Sequence, residues 1–525
     1  MNKPKLVGKT ASVWARAGFA LLASFCVLII CTKDSFLSPM NDWVDVNCFF
    51  TVGRGIKHGL VPYLDLYEQK GPLLYFVYAF AAFISENSFL GVFIVEVCLY
   101  AAFLYLGGRM AELLSDTKGA YWLTVTGLSV TIPLSPAFSH GGSAEQLFLP
   151  VFALTLYMVL KAMHDQKAFT RTQAALLGAL AAAALWTKYT FCGLFAGLTL
   201  AILAWYLIQK MYKRIPELIL FTALGALAVT AAVLARYMIR GALPALWQVY
   251  FVDNLTQYSK NIKSGNYDPP LLNLFNNLSW SIPAMLGLIW LPFSARKNRF
   301  MALAAISGAV ALFAFTYMSG RKYPYYALVL STFAPLGYAA VFALLPRKLK
   351  EKPRFGLVSA VIASALILAS PLLTCNLSQN SYMLNIKKEE MPQYRFAETI
   401  RQSEDQTLLN YGFLDGGFYF ASGSLPVTRY FCTLNNDLED MTSSLRSYVR
   451  EGKTAFLVVR TIEMPARGNA ATEKGMSGNA SRKPTGAAQA KVPDENDPYE
   501  LIDECSMMFE GLNCKYSLYR RVPEQ

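Results

Sequence analysis

Twelve apolar runs of spanning or near-spanning length punctuate this chain, at 15–31, 71–85, 89–107, 119–134, 145–162, 172–187, 189–209, 217–238, 278–295, 299–318, 323–345 and 355–373. A helix rises about 1.5 Å per residue, so about 20 apolar residues cross a hydrocarbon core about 30 Å thick. The runs therefore predict a bundle of membrane helices. Beyond 373 the pattern changes. YRFAETIRQ has helical spacing, TLLNYGF and TAFLVVR read as short buried strands, and CKYSLYRRV ends as an alternating strand. They predict a small α/β domain over 385–525. Within it, 466–497 is poor in hydrophobics and rich in Gly, Ala, Lys and Pro, the composition of a disordered insertion.

The polar stretches between the runs set a topology. Lys3, Lys5, Lys9 and Arg16 place the N-terminus in the cytoplasm by the positive-inside rule. The same rule places four other cationic loops there: Lys161/Lys167/Arg171, Lys210/Lys213/Arg214, Arg296/Lys297/Arg299, and Arg347/Lys348/Lys350/Lys352/Arg354. Twelve full crossings would put all four outside. Removing one crossing before residue 119 restores the pattern. The short run 71–85, which opens with Gly71–Pro72, predicts a juxtamembrane or re-entrant helix; a bent 71–107 making one net passage would serve equally. The expectation is a polytopic α-helical membrane protein with about 11 transmembrane helices (range 9–13) and a small external C-terminal α/β domain. The loops 32–70, 135–145, 239–276 and 319–323 then face outward, as does everything after 373. The first run lacks a small-residue cleavage site and predicts a retained helix.

Composition agrees: 54% hydrophobic, 16% charged, net charge +13. The cations lie in short loops between apolar runs, so they argue for topology and against nucleic acid. Of nine cysteines, Cys26, Cys31, Cys98 and Cys192 lie in or beside apolar segments, while Cys432, Cys505 and Cys514 fall in the C-terminal region. A Cys505–Cys514 disulfide is expected if that region is external. Walker A, GxSxG and HExxH motifs are absent, as is metal-ligand spacing, so no metal and no cofactor is expected. Glu96 is the main charge inside an apolar run.

Charge gathers in NDWVDVNCFFTVGRGIKHGLVPYLDLYEQKGPLLY, residues 41–75. Asp45, with Asp42, can act as a general base toward an acceptor hydroxyl or amine, or serve as a cap or loop ion pair. Lys70 lies at the apolar boundary, where a cation suits a lipid phosphate or simply snorkels to the interface. In FSHGGSAEQLFLP, Glu145 opens a helix and either complements its macrodipole or faces the same cavity as Asp45, with His140 in the preceding turn. In SGRKYPYYALVLSTFAPLG, Arg321 and Lys322 are external cations, fit for phosphate, and Tyr325 and Tyr326 fit an aromatic belt or a sugar. Lys188 is a further boundary cation.

These motifs, in this order (DVNCF, GLVPYLDLYEQKGPLLY, GGSAEQ, RKYPYY), resemble the GT-C superfamily of bacterial membrane glycosyltransferases. The likeness is to the branch that includes protein O-mannosyltransferases and the lipid A aminoarabinose transferase. It covers roughly 15–345; the C-terminal domain matches in placement and size only. The resemblance implies a transmembrane catalytic domain over 1–375, with the external loop 32–75 carrying the site, followed by the external domain over 385–525. It implies inverting transfer of a sugar from a polyprenyl-phosphate donor to an envelope glycan, lipid or protein at the outer face of the cell membrane. Asp45 would be the base and Glu145 its helper, with Lys70, Arg321, Lys322 and Lys188 on the donor phosphate. Asp65, Tyr325, Tyr326 and His140 would contact substrate, although Asp42, Asp65 and Glu68 weigh more toward structure. Glu145 departs from the Asp frequent in relatives. A transporter or flippase for a lipid-linked sugar would share the hydropathy and external cations, with more mid-membrane charge and inverted repeats. A scaffold role would leave the carboxylates unexplained.

Overall fold

A computed structural model describes residues 5–257, 269–294, 299–318, 320–321, 323–350, 353–435, 438–462, 493–509 and 512–523, with only the backbone of 5–12 and 353. Lys322 and most of the insertion expected at 466–497 lie outside these residues.

The apolar runs fold as helices. In chain order the helices begin with α1 (Lys5–Cys31), α2 (Val44–Lys57, which forms within the expected loop 32–70 rather than from an apolar run), α3 (Pro72–Ile84), α4 (Leu90–Ser115), α5 (Ala120–Thr131), α6 (Ala144–His164), α7 (Arg171–Thr187), α8 (Cys192–Ile208) and α9 (Ile215–Ile239). Among the described residues, eight helices are long and apolar enough to cross a membrane. The chain is a multi-pass membrane protein. At 13 residues, α3 is about 20 Å long, short of the hydrocarbon core.

The chain packs as two compact units: 1–38, 92–235 and 268–384 form the first; 39–91, 236–267 and 385–525 form the second. The loop expected to belong to the membrane domain thus packs largely with the C-terminal region. In the first unit, α7 and α9 meet at small residues. A Cβ on Gly178 would run into the Thr222 carbonyl, and one on Gly225 into that of Ala175. Close backbone approach of this kind holds helices together where lipid supplies no hydrophobic drive.

In the second unit, four strands form a sheet ordered β1-β2-β4-β3. β1 (Leu408–Tyr411) pairs in parallel with β2 (Phe456–Ile462); β4 (Leu512–Arg521) runs antiparallel between β2 and β3 (Tyr499–Phe509). The parallel pair is joined through the helix Glu439–Arg450, as a parallel crossover requires. β1, β2 and β4 are the predicted strands. β3 was not predicted: its charged, weakly alternating sequence suits an edge, where charge discourages further pairing. Phe50 of α2 packs on Phe89 and Phe420, with ring centroids 5.1 and 5.9 Å away, which ties α2 to the C-terminal region of the same unit.

Two expectations are corrected. Cys505 and Cys514 are free thiols. Cys505 stands opposite Tyr516 and Cys514 opposite Met507, so the two are diagonal neighbours, about 7–8 Å apart and beyond disulfide reach. The insertion also ends before 497: the Arg446 guanidinium holds Asp494 and Asp497, each at 2.6 Å.

Candidate functional site

In the first unit the candidate residues centre on the start of α6. Ser143 caps that helix, its hydroxyl accepting from Gln146 N–H at 3.0 Å, and Glu145 lies in the first turn. Its carboxylate is buried and meets the Lys188 ammonium at 2.5 Å. That ammonium also lies 3.7 Å from the centroid of the Tyr326 ring and 5.9 Å from that of Phe191. Lys188 and Glu145 satisfy one another in a low-dielectric setting, where such a pair is held only by good geometry and further contacts. The aromatic face supplies one such contact.

Tyr326 belongs to a 3₁₀ stretch, Pro324–Phe333, long for that geometry. Tyr323, Tyr325 and Tyr326 pack mutually there, with ring centroids 5.0 to 5.6 Å apart. Arg321, just before it, is buried at 5% exposure. Glu145, Lys188 and Tyr326 are thus brought together.

The turn that presents Glu145 is itself built. Gly141 and Gly142 take φ of 90° and 70°, which favours glycine. Gly142 N–H donates to Glu96 Oε1 at 2.5 Å, and Thr32 Oγ1 donates to Glu96 Oε2 at 2.9 Å. Asn380 donates to the carbonyls of Ser139 and Cys31, both at 2.7 Å. The His140 carbonyl accepts from Lys33 N–H at 2.9 Å, so the backbone of His140 helps to hold the turn. Glu96, conspicuous in the sequence as a charge inside an apolar run, anchors this loop.

In the second unit, Asp45 occupies the first turn of α2 and is half-buried, where the macrodipole favours a carboxylate. The Lys70 ammonium lies 5.5 Å from the ring of Phe49. Phe49 is four residues beyond Asp45, on the same helix face, so Lys70 reaches the side of α2 that carries Asp45. Asp65 holds its own loop, accepting from Val61 N–H at 2.7 Å. Glu68 accepts from Lys70 N–H at 2.9 Å and from the Tyr75 hydroxyl. Both carboxylates thus make loop-shaping contacts. Asp42 is buried.

Sequence reasoning missed several partners here. Arg54 donates to the carbonyls of Tyr419 and Gly423 at 3.0 and 2.9 Å. Asp415 accepts from Thr51 Oγ1, Gly417 N–H and Asn410 Nδ2 at 2.6, 2.9 and 3.1 Å. Burial raises the Asp415 carboxyl above the usual carboxylate range despite these donors. Asp253, ending a π-helical turn at Trp247–Asp253, accepts from the Tyr67 hydroxyl at 2.8 Å. The contacts of Arg54, of Thr51 with Asp415 and of Tyr67 with Asp253 each join residues 186 or more apart in sequence, so no local pattern marks them.

The chain is a multi-pass helical membrane protein that also carries a small mixed sheet, and solved structures match its fold. One is the crystal structure of ArnT from Cupriavidus metallidurans bound to undecaprenyl phosphate. It matches with a TM-score of 0.55 and 14% identity, over 86% of this chain and 93% of that one. The apo form of the same protein matches with a TM-score of 0.54, at the same identity and coverage. The likeness is one of fold, the level at which it agrees with the resemblance read from the sequence. No family model matches the chain, and no curated protein does.

Proposed function

We propose that the protein is a membrane glycosyltransferase that moves a sugar from a polyprenyl-phosphate donor to an envelope glycan, lipid or protein at the outer face. The observation that carries this reading is the fold shared over 86% of the chain with a protein whose crystal structure holds undecaprenyl phosphate.

Asp45 takes the proton of the acceptor hydroxyl or amine as that group attacks the anomeric carbon. The bond to the phosphate oxygen breaks on the opposite face, which inverts the centre and releases polyprenyl phosphate. Charge grows on the leaving phosphate, so fixed cations stabilise the transition state most. Lys70 and Arg321 serve that purpose. Lys188, paired with Glu145 at 2.5 Å, is a cation held in reserve, and Glu145 orients it. Tyr325 and Tyr326 offer ring faces to sugar. The transporter reading draws no support from Glu96, because its oxygens accept hydrogen bonds from Thr32 and Gly142 in a loop-holding role.

Transfer in membranes supplied with a panel of polyprenyl-phosphate sugars tests the reading. At least one donor is turned over by the native protein. Asp45→Asn lowers that rate by about 10²–10⁴-fold while donor binding persists. Undiminished transfer in Asp45→Asn removes Asp45 as the base; undiminished transfer in Lys70→Ala and Arg321→Ala removes the phosphate assignment.

A further inference from the structure

Two cysteines meet in the unit that carries Asp45. Cys48 Sγ and Cys432 Sγ are 3.9 Å apart, although 384 residues separate them in sequence. Each side chain is 1% exposed. A disulfide needs about 2.05 Å between sulfurs, so the two would close by about 2 Å, a shift that small χ1 rotations supply.

Both flanking segments are already fixed in this unit. On the α2 side, Thr51, one turn beyond Cys48, donates to Asp415 at 2.6 Å. On the other side, Thr433 N–H donates to the Phe413 carbonyl at 3.0 Å, and Tyr67 N–H to the Arg429 carbonyl at 2.8 Å. The Arg429 side chain returns a hydrogen bond to the Tyr63 carbonyl at 3.1 Å. Anchoring at both ends raises the effective concentration of one thiol at the other. Two buried thiols that merely fill space need no such contact.

We propose that Cys48 and Cys432 form a disulfide in the cell, a covalent tie between the helix that carries Asp45 and the C-terminal region. Each thiol loses a proton, and together they give two electrons to a disulfide oxidant. One S–S bond forms, and the oxidant's bond breaks to leave two thiols. The inference rests on the outward placement of this unit in the proposed function, since disulfides persist in oxidising compartments. Burial raises both thiols above their ordinary pKa, which disfavours thiolate exchange in the folded unit. Oxidation therefore takes place during transient opening of the 429–433 segment, whose anchors return the two thiols to one another. The same burial then shields the bond from reductants.

The test uses the native protein. Cells are quenched in acid, and free thiols are blocked with N-ethylmaleimide in denaturant. The sample is then reduced and labelled with maleimide-polyethylene glycol. Two additions are expected, with none in Cys48→Ser or Cys432→Ser, and mass mapping should find the peptides of Cys48 and Cys432 joined until reduction. The mapping decides even if the variants fail to accumulate. Protease access to a C-terminal tag on spheroplasts is read in parallel. No releasable thiols with an outward tag overturns the disulfide alone; no releasable thiols with an inward tag overturns the outward placement with it. A bond mapped to any other cysteine pair also overturns the proposal.

Discussion

Glu145 and Asp415 are both buried carboxylates, yet the two units satisfy them by opposite means. Glu145 meets a full cation, Lys188, at 2.5 Å. Asp415 takes its hydrogen bonds from neutral donors on Thr51, Gly417 and Asn410; its carboxyl is pushed up by burial, against a smaller opposing pull from these donors and the nearby Arg54 charge. A carboxylate locked by neutral donors belongs to the architecture, since each donor is a fixed piece of nearby chain. A carboxylate locked by a long, rotatable lysine can exchange that partner for another anion's claim on it. This difference marks the Glu145–Lys188 pair as the functional candidate and Asp415 as a strut.

The largest effect should come from splitting the ion pair. Lys188→Met leaves a buried charge without its partner, which costs about 3–5 kcal/mol. The double variant Lys188→Met/Glu145→Leu should recover most of that loss while transfer stays lost. Thermal unfolding in detergent and transfer assays in membranes measure the two separately. A double variant as unstable as the single one would show that the surroundings, rather than the lysine, stabilise Glu145.

Asp415 should behave differently. Asp415→Ala removes the acceptor for three donors and costs about 1–3 kcal/mol. Its pH response runs opposite to that of a salt-bridged carboxylate. The folded pKa is raised, so the folded state holds a proton that the unfolded state has released. Stability therefore falls as pH rises from the ordinary carboxylate value through the raised one, and Asp415→Asn should flatten that slope in a titration of unfolding midpoints. A slope of the opposite sign would mean that the neutral donors outweigh burial.

Glu96→Gln should cost less, about 1 kcal/mol, because the amide keeps one acceptor and loses the other. Its sharper consequence is local: the Gly142 turn loosens ahead of Glu145. Transfer should fall more than stability does, and a fall in stability alone would confine Glu96 to packing.

The legible and illegible parts of this molecule divide along the same line. The membrane helices were readable because each is a local run of apolar residues, and β1, β2 and β4 because their apolar positions are contiguous; α2 and the helix Glu439–Arg450, which mix charge with apolar residues, were not. β3 was not, since YELIDECSMMF mixes charge with apolar residues at an edge. Glu145 could be placed at a helix start from GGSAEQ alone. Its pairing with Lys188, 43 residues on, could not. Nor could the reach of Arg54 to carbonyls 365 and 369 residues away. The sequence signal in Glu96 was real, an acidic residue inside an apolar run, but its partners Thr32 and Gly142 come from other segments. Local pattern specifies elements; the partners of buried charges follow only from packing.

The smallest effect tests the comparison at its exposed limit. Glu86 lies outside the membrane helices and meets Lys57 at 3.0 Å and His58 at 2.9 Å, with about a quarter of its side chain exposed. Hydrogen bonds from His58 and Lys57 hold its carboxyl below the usual range. Its contribution is therefore present above the ordinary carboxylate pKa and is lost as pH falls through the depressed value. Solvent screens such a pair, so Glu86→Gln should cost less than about 1 kcal/mol. At about 1 M salt the Debye length shrinks to about 3 Å, and the difference between native and variant should vanish. The Lys188→Met penalty should persist at that salt, because ions do not reach a buried pair. Unfolding midpoints for both variants at low and high salt decide the matter. If the two penalties shrink together, Lys188 is exposed to solvent, and the reading of Glu145 as a buried, cation-held carboxylate fails.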